Sequence, residues 1–193
     1  MFLEILRFEL RQQWKAPLFW IVAAVFAALA FTLASTDAIV MGGASGNVLR
    51  NAPLVIARLL NVFAVLSILL VVAFVANAAT RDFEQGTAEL LFATPLRRGA
   101  YLGGRFAAGY LVLVGILALC ALALAAGGAM PWVDAGRLGA TDWRGYFWGF
   151  GVLVLPNLFF VAALLFLLAT VTRSLLASYV GVIAYFVLQG VAG

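Results

Sequence analysis

Histidine is absent from this sequence, cysteine and lysine occur once each, and charged residues make up only 10% of the 193. Without histidine there is no imidazole acid–base catalysis and no histidine-ligated metal. Cys120, the single cysteine, has no partner for an internal disulfide and lies in an apolar run, where a thiol is inert. Lys15, the single lysine, is not preceded by the glycine-rich spacing of a phosphate-binding loop, so the chain carries no nucleotide-hydrolysing motif. An average soluble domain is about 25% charged. A chain this poor in charge cannot cover a water-facing surface, and the bilayer is its natural solvent.

What the sequence has instead is long apolar runs, with 66% of its residues hydrophobic. Five of these runs approach the roughly 20 residues that cross the hydrocarbon layer as a helix. They predict spans at about 17–35, 60–79, 106–130, 147–171 and 175–191. No Asp, Glu, Lys or Arg falls inside any of them. The expected fold is therefore all-α, a polytopic transmembrane helical bundle forming a single transmembrane domain, because lipid-exposed backbone must satisfy its own polar groups. The first run is longer than the apolar core of a signal peptide and follows Glu4 and Glu9, so it reads as an uncleaved span.

Basic residues supply direction. With a cytoplasmic N-terminus, the inner side holds Arg7, Arg11, Lys15, Arg81, Arg97, Arg98, Arg105 and Arg173, against Arg50, Arg58, Arg137 and Arg144 outside. That bias follows the positive-inside rule, and tryptophans near the span ends form an aromatic belt at both interfaces. A multi-pass protein of an inner (cytoplasmic) membrane is expected. The scattered bases form no patch for nucleic acid, despite a net charge of +4. Residues 2–15 read as an amphipathic helix in the inner interface, with Leu3, Leu6, Leu10 and Trp14 on one face and Glu4, Arg7, Arg11 and Lys15 on another, near lipid headgroups. In the first outer loop Asn51 is placed to cap the next helix, with Pro53 in its first turn.

The segment 80–105, "TRDFEQGTAELLFATPLRRGAYLGGR", interrupts the apolar pattern with acids and then bases. Gly86 permits a turn, Thr87 can cap a short helix from Ala88 to Ala93, and Glu89 sits in its first turn. Pro95 disfavours helix at Thr94 and ends it. So short a helix is marginal alone in water and calls for a partner. An inner loop is basic by default, which explains Arg97 and Arg98 but not the acids.

This segment resembles the cytoplasmic loop between spans two and three of ABC-2-type transporter permeases. Glu84, Gly86, Thr87, Glu89, Leu90, Leu91, Thr94, Pro95, Gly104 and Arg105 match that pattern. The resemblance implies a short cytoplasmic coupling helix, seated in a separate nucleotide-binding subunit and moved by it. Phe83, Glu84, Gly86, Thr87, Glu89, Leu90, Leu91, Thr94, Pro95 and Arg97 would form the seat. It also implies a second permease copy or half, with ATP bound in the partner and no cofactor in this chain. Such permeases have six spans per unit, so an N-terminal piece of a longer permease is expected.

Pro156 interrupts the fourth run and predicts a kink that serves either as a hinge or as tolerated structure. Gly145 and Gly149, like Gly99 and Gly103, have the spacing of close helix packing, and Asn61, Asn77 and Gln189 suit either the lining of a path or interhelical hydrogen bonds. An enzyme is not expected, because no nucleophile–base pair or metal-ligand cluster is visible. A permease subunit working in export and a non-transporting scaffold that recruits a cytoplasmic partner both fit the segment 80–105.

Overall fold

A computed structural model describes residues 1–36, 49, 51–84, 86, 97–133, 136, 138, 139 and 142–192. Among them all regular structure is helical, without strands. Helix α1 (Phe2–Lys15) stops at Ala16, whose extended backbone (φ −70°, ψ 127°) is what a residue before proline adopts. Pro17 opens α2 (Pro17–Ser35), where its missing N–H costs nothing. Then come α3 (Pro53–Leu66), α4 (Ile68–Val71), a first π-turn (Val72–Ala76) and α5 (Asn77–Glu84). The remainder is α6 (Arg98–Gly128), α7 (Trp143–Trp148), a second π-turn (Gly149–Val154), α8 (Leu155–Thr172) and α9 (Leu175–Ala192).

Among the described residues, four helical stretches are long and apolar enough to cross a membrane: Pro17–Ser35, Pro53–Asp82, Arg98–Gly128 and Trp143–Thr172. This is a membrane protein. The fifth expected span corresponds to α9 (Leu175–Ala192), which at 18 residues is one residue shorter than α2 at 19. The three longest helices reach roughly 45 Å at 1.5 Å per residue, beyond the ~30 Å hydrocarbon layer. They begin at Pro53, Arg98 and Trp143, ahead of the apolar runs at residues 60, 106 and 147. The helices thus carry Arg58, Arg81, Asp82, Arg98, Arg105 and Arg144 near their ends, while the expected spans within them stay free of Asp, Glu, Lys and Arg. Each of the five tryptophans is at least 53% exposed, as interface anchors require.

The kink expected at Pro156 takes a specific form. Its ring has no N–H to donate and crowds the carbonyl of Val152. The chain accommodates this with the π-turn Gly149–Val154 immediately before α8.

The chain divides into two compact units. One comprises Pro17–Leu66 and Val114–Asn157. Here a Cβ on Gly145 would fall 2.9 Å from the Cα of Pro53, and one on Gly149 would fall 3.4 Å from the Cα of Ala57. The pair lets α7 and the second π-turn lie directly on α3. Gly99 and Gly103 do not work this way, since Gly99 faces open space and Gly103 meets only the Phe2 ring. The capping role expected of Asn51 is also not taken up. Its Nδ2 donates to the Gly139 carbonyl at 2.5 Å, and the Gly139 N–H donates back to Oδ1 at 2.8 Å, joining two loops. Asp142 does cap a helix in this unit: its Oδ1 accepts from the Arg144 N–H at 2.9 Å at the start of α7.

The other unit comprises Met1–Ala16, Ser67–Leu113 and Leu158–Gly193. Helices α8 and α9 form a hairpin through Arg173 and Ser174 alone, and Arg173 takes the left-handed conformation (φ 52°) that ends helices. The rings of Phe106, Tyr110, Phe159 and Phe166 pack edge to face, with centroids 5.4–5.5 Å apart for Phe106–Phe166, Phe106–Phe159 and Tyr110–Phe159. Asn61 and Asn77 make no side-chain hydrogen bond among the described residues, so the interhelical role expected of them is not observed.

Gly145→Val should lower the melting temperature in detergent, with a loss of about 1–3 kcal/mol from overpacking against Pro53 backbone. Gly115→Ala, on an exposed face with nothing within 4 Å of the added methyl, should match or exceed the parent.

Candidate functional site

Helix α1 presents its surroundings with a stripe that hydrophobicity does not mark. Ile5, Glu9 and Gln13 recur every four residues, with Glu9 only 1% exposed and Gln13 8%. A Cβ on Gly104 would come 2.9 Å from Cγ2 of Ile5 and 3.3 Å from the Phe2 carbonyl, so glycine there lets α1 lie against α6. Gln13 Nε2 donates to the Phe74 carbonyl, within the first π-turn, at 3.3 Å.

Glu9 is the centre of an ion cluster. Arg81 NH2 donates to its two carboxylate oxygens at 2.8 and 3.1 Å, and Arg105 Nε lies 3.1 Å from Oε1. Arg105 turns its far nitrogens the other way: NH1 donates to the Ala78 carbonyl at 2.7 Å, and NH2 sits between the Asp82 oxygens at 2.8 and 2.9 Å. The Tyr101 hydroxyl also donates to Asp82, while its ring lies under the Arg105 guanidinium, 4.6 Å from the centroid. Tyr101 and Arg105 are one turn apart on α6 and so share a face.

Two acids face two bases, and the cluster is neutral. Each pair gains about 4 kcal/mol at an effective dielectric near 20, while desolvation costs several kcal/mol per ion. These nearly cancel, so what the cluster contributes is placement more than net stability. It fixes the end of α5, the start of α6 and the buried side of α1 relative to one another. Arg97 and Arg98, by contrast, are exposed and stand at the positive end of the α6 macrodipole, which disfavours them by ~0.3–1 kcal/mol each. Helix stability is not the reason they are there.

The cluster sits at both roots of the segment singled out by its composition. Arg81 and Asp82 lie at its start, Tyr101 and Arg105 at its end. Of the expected seat, Phe83 and Glu84 complete α5, Gly86 takes φ 68° as its turn role requires, and Arg97 is exposed just before α6. Thr87, Glu89, Leu90, Leu91, Thr94 and Pro95 lie outside the described residues, as does the helix expected at Ala88–Ala93. Pro156 belongs to the other unit and is exposed. Sequence reading passed over Glu9, Arg81, Asp82 and Tyr101. The available signal was Glu9 and Gln13 at helical spacing away from both faces assigned to α1. Among the described residues no group of acids and cysteine could hold a metal.

Arg105→Leu leaves Asp82 and Glu9 underpaired and should cost about 3–5 kcal/mol, read as a lower melting temperature in detergent. Arg97→Ala, at an exposed position, should stay within about 0.5 kcal/mol of the parent. Neither a protein-family model nor a curated protein matches this chain.

Proposed function

We propose that this chain is the membrane-spanning permease subunit of an ABC-2-type ATP-binding-cassette transporter working in export. In this reading a separate ATPase subunit docks on the segment 80–105 and transmits its nucleotide-driven closure to the spans. The N-terminus and that segment face the cytoplasm, the membrane is the inner one, and a second permease copy or half completes the pathway. ATP is bound and hydrolysed in the partner.

The observation that carries the reading is the ion cluster at the roots of the segment. A docking loop moves spans only if force on it is not lost in slack at its ends. Asp82 and Arg105 tie the two ends to each other at 2.8 Å, and Glu9 ties both to α1. The acids Glu84 and Glu89 suit basic partner groups, and Leu90, Leu91 and Phe92 suit an apolar groove. Energy delivered from outside the membrane also fits the apolar runs, since ion-driven transporters ordinarily carry ionisable groups at mid-membrane.

Glu89→Lys or Leu91→Asp should abolish co-purification of the ATPase subunit while membrane insertion continues. Normal retention of the ATPase by both variants would sink the coupling assignment. Substrate-stimulated ATP hydrolysis in proteoliposomes of the assembled complex is the expected mark of a transporter, whereas docking without stimulation would make the chain a scaffold.

A further inference from the structure

Helix α1 has three distinct sides. Ile5, Glu9 and Gln13 face the protein. At 100° per residue, Arg7, Arg11 and Lys15 form a second stripe, centred roughly 160° from the first. All three are exposed, and none makes a hydrogen bond or ion pair among the described residues. Between these stripes lies the apolar side, on which Leu3 is 62% and Trp14 57% exposed and Leu6 and Leu10 are half-buried. Phe8 and Gln12 occupy the remaining flank. Glu4 lies on the same face as the three bases, and its charge is met by the Met1 amino group at 2.7 Å.

This arrangement fixes what the bases can meet. Lys15 is separated only by Ala16 from α2, one of the helices long and apolar enough to cross the membrane, so α1 ends where the bilayer surface lies. With its apolar side turned into the acyl boundary and Glu9 anchored to Arg81 and Arg105, the basic stripe points along the membrane plane, away from the protein. At that depth the available counter-charges are phosphates of neighbouring lipids. We propose that Arg7, Arg11 and Lys15 form a docking stripe for anionic phospholipid headgroups. The stripe holds the outer side of α1 as the ion cluster holds its inner side.

The test uses the full chain in bilayer discs of phosphatidylcholine mixed with phosphatidylglycerol, with co-released lipid counted by native mass spectrometry. The parent protein should retain phosphatidylglycerol in excess of the disc composition, and each of Arg7→Gln, Arg11→Gln and Lys15→Gln should lower that preference roughly fivefold. The double variant Arg7→Lys/Arg11→Lys should keep it. In the parent, raising salt from about 0.01 M to about 1 M shortens the Debye length from about 30 Å to about 3 Å and should erase the preference without any mutation. Lipid retained at disc composition by the parent, or a preference untouched by salt and by the glutamine variants, would overturn the proposal. So would binding of an acidic polypeptide that is lost in the glutamine variants while lipid retention follows disc composition. That result would give the stripe to a protein partner. None of these readouts requires an ATPase subunit, so failure here and failure of the permease reading are distinguishable.

Discussion

A guanidinium group carries its charge in a plane with donors at both ends, and Arg105 uses both ends at once. One edge meets Glu9 from α1, the other meets Asp82 and a backbone carbonyl from α5, and Tyr101 covers its face. A lysine ammonium could satisfy one of these neighbours but not all of them, because it is a point charge without a fixed fork. Three helical segments that are far apart in sequence are thereby held by one side chain that is 5% exposed. The close seating of α1 on Gly104 and the convergence of the two roots of the segment 80–105 both presuppose this contact.

Neutrality makes the cluster tolerable near a membrane. A lone carboxylate at this burial would be driven toward its protonated form, and a lone guanidinium has no such escape. With two of each sign the field largely cancels, and the side chains serve as directional fasteners. Proposed as part of a transport machine, such a fastener has the right character: stiff, short-ranged and dependent on geometry more than on sequence-wide composition. The exposed bases nearby follow different physics. Their strength is set by salt and by the lipids around them, whereas the buried pairs are largely shielded from both.

The helical architecture was legible because lipid imposes a simple rule on it. Apolar runs mark where a helix must be, as at Pro17–Ser35, and Pro156 announced a local departure from α-geometry. Helix ends were less legible, since the turns that rise past the hydrocarbon layer are polar and look like loop: Arg98 to Arg105 belongs to α6, not to the connection before it. The ion cluster was illegible for a related reason. Its members are ordinary charged residues near span ends, where the positive-inside rule already accounts for bases, and only the fold brings Glu9 next to Arg81 and Arg105. Asn51 makes the same point in the other unit, because its position suits a helix cap while its side chain answers to Gly139, 88 residues away.

The two π-turns have a consequence for how such a chain can change. Each places one more residue in a turn than α-geometry does, which rotates everything downstream by about 100° about the helix axis. The residues before Val72 and those after Ala76 therefore do not share one continuous stripe, and neither do those flanking Gly149–Val154. A single helix can thus satisfy one set of neighbours along its first half and an unrelated set along its second. Deleting a residue within either turn would leave the hydrophobic profile almost untouched while presenting the wrong side chains to every partner beyond it.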